Sequence, residues 1–177
     1  FTALAIEQEM KKRGFDADFR ATGQTGIFIA GSGVSIDAVV ADFISGAVEW
    51  LCPENSENHW DIVEGQGSLF NVSYAGVTLG LIHGSQPDAI VVCHEAGRPH
   101  MRSMPHFPLI DLPTCIDFNL QAARLTNPDV RCVGAAINTS RLSEEEGRVF
   151  CDKISQEIGL PAVDPLRDGV GSLVDQI

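Results

Sequence analysis

The chain has 177 residues and a mass of 19.0 kDa, room for one domain, and its 44% hydrophobic content is enough to bury a substantial core. Twelve basic against 24 acidic side chains give a formal net charge of −12, which repels a phosphate backbone over most of the surface and argues against a nucleic-acid partner. No apolar stretch approaches the roughly 20 residues of a membrane span, and Phe1 to Gly14 mixes acidic with basic residues, unlike a secretory signal, so the reading is a soluble protein with no membrane partner. Cys52, Cys93, Cys115, Cys132 and Cys151 are odd in number and contain no CxxC pair. Two of them, Cys93 and Cys132, lie inside apolar runs, which predicts reduced, mostly buried thiols in a cytoplasm.

In chain order, FTALAIEQEMKKRG sets Ala3, Ile6 and Met10 at helical spacing, with basic residues in its last turn and Gly14 as the stop. That helix has neither a cap nor a strand ahead of it, so the chain reads as a piece cut from something longer. Asp18 to Thr22 reads as a strand, and Asp37 to Leu51 as a helix with Val40, Phe43, Ile44, Ala47, Val48 and Leu51 on its apolar face. CPENSENH closes this helix as an exposed loop. There follow a strand at Asp61 to Val63, a helix at Ala75 to His83, a strand at Ala89 to Cys93 and a loop rich in His, Arg, Met and Pro. Leu112 to Leu125 is a helix with Pro113 in its first turn, Arg131 to Ile137 a strand, and Ser143 to Ile158 a helix with SEEE at its start. Ala162 to Val163 is a short strand and Val170 to Ile177 a last helix. This alternation predicts an α/β, three-layer fold: a mainly parallel sheet with helices on both faces.

Four apolar runs end in polar clusters: ATGQTG, WDIVEGQGSLF, VVCHEAGR and AAINTSR. Strand ends of that kind build ligand sites in open α/β sheets. Glu64 emerges at one tip, where it is able to bind Mg²⁺, take a proton from an amine, or cap a nearby helix. Gly65 and Gly67, on either side of Gln66, permit close approach of a ligand, or form a tight turn. Thr22, Gly23, Gln24, Thr25 and Gly26 are dense in donors for a carboxylate or phosphate, although the same residues suit an ordinary strand-to-loop transition. In HEAGRPHMR, Arg98 and Arg102 are suited to grip a dicarboxylate or phosphate, or else balance neighbouring carboxylates in so acidic a chain, and His94 or His100 to act as general base or acid. The spacing of His94, His100 and His106 fits no common zinc pattern. Cys93, inside AIVVC, reads as a core residue and not as a nucleophile. His83 is placed to end a helix, and Ser73 and Tyr74 either face the ligand or pack.

Together ATGQTGIFIAG, VEGQGSLF, YAGVTLGLIHGSQPDAIVVCHEAGRPHMR and DPLRDGV resemble the D-glutamate N-acetyltransferase-like family over Phe1 to Ile177. The resemblance implies that residues 1–177 are a C-terminal P-loop NTPase-like domain, preceded in the family by a Rossmann-like domain. It also implies that the first strand and the phosphate loop ending in Gly-Lys lie just before Phe1 and are lacking here. A wider structural analogy is to enzymes of the dethiobiotin synthetase kind, whose EGAGG-like turn VEGQG is similar to. By that analogy Asn138, Asp164, Pro165 and Arg167 would hold the cofactor.

What the resemblance implies is acetyl transfer from acetyl-CoA to the amine of an acidic D-amino acid, D-glutamate or D-aspartate. Glu64 or His94 would take the ammonium proton, and Arg98 and Arg102 would hold a carboxylate. Thr22, Gln24, Thr25, Gly65, Gln66 and Gly67 would orient the acyl group. The partner implied is a small-molecule substrate, with a homo-oligomeric assembly. Two alternatives stand beside this reading: an ATP- and Mg-dependent ligase-like enzyme in which Glu64 holds Mg²⁺ and Asn138 reads adenine, and an inactive nucleotide-binding fragment.

Overall fold

The structure, a computed structural model, describes residues 1–177. Helices and strands alternate as α1 (Thr2–Lys12), β1 (Asp16–Arg20), α2 (Gln24–Ala30), α3 (Ile44–Leu51), β2 (His59–Val63), α4 (Ala75–Ser85) and β3 (Ala89–Glu95). They continue as β4 (His100–Met101), β5 (Met104–Pro108), α5 (Leu112–Ala123), β6 (Arg131–Asn138), α6 (Glu144–Ile158), β7 (Ala162–Val163) and α7 (Gly171–Val174). The parallel strands fall into two sheets, β1-β2 and β3-β6-β7, while β4 and β5 form an antiparallel hairpin.

Both parallel sheets lie under one roof. Ile6 and Met10 of α1, with Val170, Leu173 and Val174 near the C-terminus, form a core cluster that takes in Ala17 of β1, Trp60 and Ile62 of β2, Val91 of β3 and Ala136 of β6. On the other face of β6, Ala135 and Ile137 pack with Leu112 of α5 and Cys151 and Ile154 of α6. β6 is accordingly buried from Val133 to Ile137, as a central parallel strand covered on both faces must be. A third cluster joins Ile44 and Val48 of α3 to Leu81 of α4 and Ile36. Here α3 and α4 pack closely because a Cβ on Gly84 would lie 2.5 Å from the Ser45 carbonyl oxygen, and one on Gly80 would lie 2.4 Å from Ile44. Glycine removes both obstacles.

The ends of these elements follow local chemistry. Ser143 and Glu146 form a reciprocal capping box at the start of α6, with three glutamates in its first turn facing the positive end of the helix dipole. Asp111 caps α5 by accepting the Thr114 N–H at 2.8 Å, with proline tolerated in the first turn.

Several sequence expectations shift. The expected helix from Asp37 to Leu51 is broken: Ile36–Ala38 and Ala41–Phe43 are single 3-10 turns and only Ile44–Leu51 is α-helical. Val40 and Phe43, expected on the apolar face, are 67% and 68% exposed, and with Trp50 they line the outer side of this segment. The buried stripe is Ile44, Val48 and Leu51. Helix α2 and the β4-β5 hairpin occupy stretches expected as turn and loop. Cys93 is exposed, with its Sγ 3.7 Å from the Thr2 hydroxyl, because β3 has an unpaired edge and is not enclosed like β6. The other four thiols are buried or half-buried, and burial pushes Cys52, Cys115 and Cys151 up to about 11. No helix is long and apolar enough to cross a membrane.

Candidate active site

Two polar clusters form where parallel strands end. In the first, β1 and β2 run in register from Asp16 opposite His59 to Arg20 opposite Val63, so the turns that follow them meet. Glu64 Oε2 accepts the backbone N–H of Thr22 at 3.0 Å and of Gly23 at 2.9 Å. The buried Thr22 hydroxyl donates to the Glu64 carbonyl at 2.7 Å and accepts from the Gln66 amide at 3.2 Å. Thr78 of α4 then holds the Gln66 carbonyl at 2.6 Å. Gly26 admits the carboxylate, since a Cβ there would sit 2.3 Å from Glu64 Oε2. Glu64 thus fixes the turn that leads into α2. Gln24 and Thr25 are exposed on the first turn of α2, and Gly65 and Gly67 are exposed beside Gln66.

Of the two Glu64 carboxylate oxygens, Oε2 is engaged by these amide donors and Oε1 has no partner in the protein.

The second cluster surrounds a pocket of about 320 Å³ between the N-terminus of α1 and the ends of β3 and β6, closed by the segment from Asp164 to Leu166. His94, Arg98, Asn138, Asp164 and Pro165 all line it, together with Phe1, Thr2 and Glu95. The His94 ring stacks on Phe150 of α6, with centroids 6.2 Å apart and planes 4° from parallel. Burial first, and the Arg98 guanidinium second, lower its pKa below the usual imidazole value, with Glu95 opposing. It is therefore a neutral base near pH 7.

The remaining polar groups have structural partners. Asp164 accepts from the Thr139 N–H at 3.0 Å, the Thr139 hydroxyl and the Leu166 N–H at 2.9 Å. Burial raises its pKa, but these hydrogen bonds outweigh that effect and hold the carboxyl below the usual range. Asn138 Oδ1 accepts the Ser140 N–H at 3.0 Å. Arg167 lies outside the pocket lining and donates to the carbonyls of Ser143 and Leu142 at 3.0 and 2.9 Å, tying the 164–167 turn to the start of α6. Arg102 is exposed in the β4-β5 turn, also outside the lining. His100 is held by its own strand, Nδ1 lying 2.9 Å from the Met101 carbonyl. His83 in the last turn of α4 reaches the Ala122 carbonyl at 3.2 Å, and Tyr74 is 49% exposed.

Helix α1 places the two clusters on one edge of the domain. Its N-terminal Thr2 touches Cys93 near the end of β3, while its C-terminal Lys11 pairs with Asp18 midway along β1, the strand that follows α1 after a short turn. α1 is therefore antiparallel to strands of both sheets, so β1-β2 and β3-β6 deliver their C-terminal turns to the same side. Residue pattern alone points to His94 and Asn138 but misses Phe1, Thr2 and Glu95 as parts of the pocket, and Phe150 as the ring behind His94. The VVCHEAGR run already carries Glu95; the others are brought in by packing alone.

A parallel α/β core whose strand-end turns collect polar groups on one edge has the architecture of the ligand-binding α/β domains to which the P-loop folds belong. The chain belongs to the family described as a domain of unknown function, the DUF1611 C-terminal P-loop domain, which matches residues 1–174. It is 57% identical over 174 residues to a D-glutamate N-acetyltransferase of Pseudoalteromonas sp., covering 98% of this chain and 52% of that protein. It is 51% identical over 177 residues to a D-glutamate N-acetyltransferase of Tritonibacter scottomollicae, covering 100% of this chain and 53% of that protein. The crystal structure of a DUF1611 family protein from Anabaena variabilis superposes with a TM-score of 0.93 at 38% identity, over 99% of this chain and 52% of that one. The chain spans about half the length of the relatives it matches.

Proposed function

We propose that this domain serves an acetyltransferase that moves an acetyl group from acetyl-CoA to the amine of D-glutamate. The observation that carries the reading is full-chain identity of 57% and 51% to two proteins named for that reaction. The local chemistry supports it. The pocket between α1 and the ends of β3 and β6 gathers His94, Arg98 and Asn138, polar groups able to meet an amine, a carboxylate and an acyl donor.

In this reading His94, kept neutral by burial, accepts the proton of the substrate ammonium, and Glu64 is the second candidate for that role. The free amine attacks the thioester carbonyl; the C–N bond forms, the C–S bond breaks and CoA leaves as its thiol. Arg98 at the pocket rim neutralises a substrate carboxylate, with Arg102 in the hairpin turn as the outer cation. Asn138 and Pro165 line the donor end. Asp164 and Arg167 act there by fixing the turn, and Gln24, Thr25, Gly65, Gln66 and Gly67 face the acyl and acceptor side.

We infer further that the domain is the C-terminal part of a longer enzyme, completed by a preceding strand and phosphate loop. Support comes from the two parallel sheets that share one roof while β2 and β3 each keep an unpaired edge. A cytoplasmic setting is supported by five free thiols, and a homo-oligomer by the exposed stripe of Val40, Phe43 and Trp50.

The test is direct. A full-length version mixed with acetyl-CoA and D-glutamate releases free thiol and yields N-acetyl-D-glutamate by mass spectrometry. If neither product forms, and MgATP but not acetyl-CoA raises the melting temperature, the acetyltransferase reading is wrong.

A further inference from the structure

We propose that Glu95, Arg98 and Arg141 form a carboxylate-selecting subsite at the rim of the His94 pocket, with Glu95 as the positioning residue. Its ligand is the side-chain acid of the acceptor amino acid, and the naming of that ligand rests on the acetyl-transfer reading. The β3-β6 register sets Glu95, the last residue of β3, opposite Asn138, the last residue of β6. Arg98 follows in the turn after β3 and Arg141 in the turn after β6, so the two cations approach one carboxylate from separate strand ends. Arg98 Nη1 donates to Glu95 Oε2 at 3.1 Å, and Arg141 Nε lies 2.8 Å from Glu95 Oε1. Two guanidiniums and one carboxylate leave a net charge of +1, in a chain whose formal charge is −12.

The unused donors point to a ligand. A guanidinium carries five N–H donors, and Glu95 occupies only the Nη1 side of Arg98. Its Nε is buried with no acceptor in the protein, and Nη2 has none either. Nε and Nη2 form the side-on edge that matches the two oxygens of a planar carboxylate. A buried donor without a partner is costly unless something else supplies the oxygen. Arg98 lines the pocket, whereas Arg141 is 60% exposed and held by Glu95, which places it as the outer jaw. An acid has a partner here. The isosteric amide, with no negative charge, forfeits the charge-assisted bonds.

Calorimetry on the full-length protein, with D-glutamate and D-glutamine as separate probes and acetyl-CoA as a third, tests this. Arg141→Ala and Glu95→Gln are each expected to weaken D-glutamate binding on the order of tenfold, and to leave D-glutamine and acetyl-CoA binding unchanged. Arg141→Lys restores charge without the fork and recovers part of the loss. Equal losses for both amino acids, or a loss confined to acetyl-CoA because the arginines hold its phosphates, overturn the proposal, as does a wild-type protein that binds D-glutamate no better than D-glutamine. Selective D-glutamate binding without acetyl transfer supports the subsite and removes the reaction proposed above, so the two failures are distinguishable.

Discussion

One oxygen of Glu64 accepts the backbone N–H groups of both Thr22 and Gly23, 3.0 and 2.9 Å away across the ends of β1 and β2. The residue closes the turn that starts α2, and this structural work is separable from any role in proton transfer. Glu64→Ala leaves two amides without their acceptor and is expected to cost about 1–3 kcal/mol of stability. Glu64→Gln keeps an amide oxygen in the same place and should cost less than about 1 kcal/mol. Denaturant unfolding of the two variants checks the order. If Glu64→Gln unfolds as readily as Glu64→Ala, the role of Glu64 as acceptor of these amides fails; if it folds normally yet loses turnover, Glu64 is the base.

His94 carries the competing assignment. His94→Gln is expected to lower kcat by about 10²- to 10⁴-fold, the usual contribution of a positioned general base, without changing the melting temperature. Burial and Arg98 lower the His94 pKa, so the imidazole loses its proton at a pH below the ordinary value of 6.5. Activity should therefore climb through that lower pH and be level at neutrality. An acid limb centred at or above 6.5 in the wild type would remove His94 from the mechanism.

A different histidine links stability to pH. His59, 8% exposed, lies between Asp16 and Asp61, with Nδ1 3.1 Å and Nε2 3.2 Å from their oxygens, and Asp61 is also held by Arg20. Burial opposes the charge, but the hydrogen bonds to Asp16 and Asp61 outweigh it and raise the pKa above 6.5. A raised folded value means that the stabilisation is fully present below 6.5 and is lost as pH rises through the folded value. The melting temperature should fall across that window, and His59→Gln should flatten the fall. An unchanged slope in the variant would locate the pH dependence elsewhere.

Much of this architecture is legible in the order of the amino acids. SEEE ahead of an apolar-periodic run marks a capped helix, and α6 has that capping box. Alternating strand and helix patterns define the parallel α/β class, and polar turns after Val63, Cys93 and Ile137 mark the edge where polar side chains collect. The elements that escape such a reading share a cause. Glycine and threonine dominate ATGQTG and give it the look of a turn, yet helix α2 starts at Gln24, after a turn whose Thr22 and Gly23 amides are held by Glu64 from far along the chain. Asp37 to Leu51 keeps its apolar character through two 3-10 turns, so hydrophobicity alone does not show where the true helix begins.

Neighbouring residues along the chain thus fix the local layer: which segments are helix or strand, and which ends carry charge. Those properties depend on side chains a few positions apart, where propensity, capping and periodicity act. Three relationships arise only when distant segments meet: Glu64 faces the amides of Thr22 and Gly23, His94 stacks on Phe150 and loses basicity, and Glu95 gathers Arg98 and Arg141. Each joins residues from different strand ends or a strand end and a helix. Their burial and hydrogen-bond partners exist only after β1 meets β2 and β3 meets β6, because no periodicity in the chain encodes which turn will lie beside which.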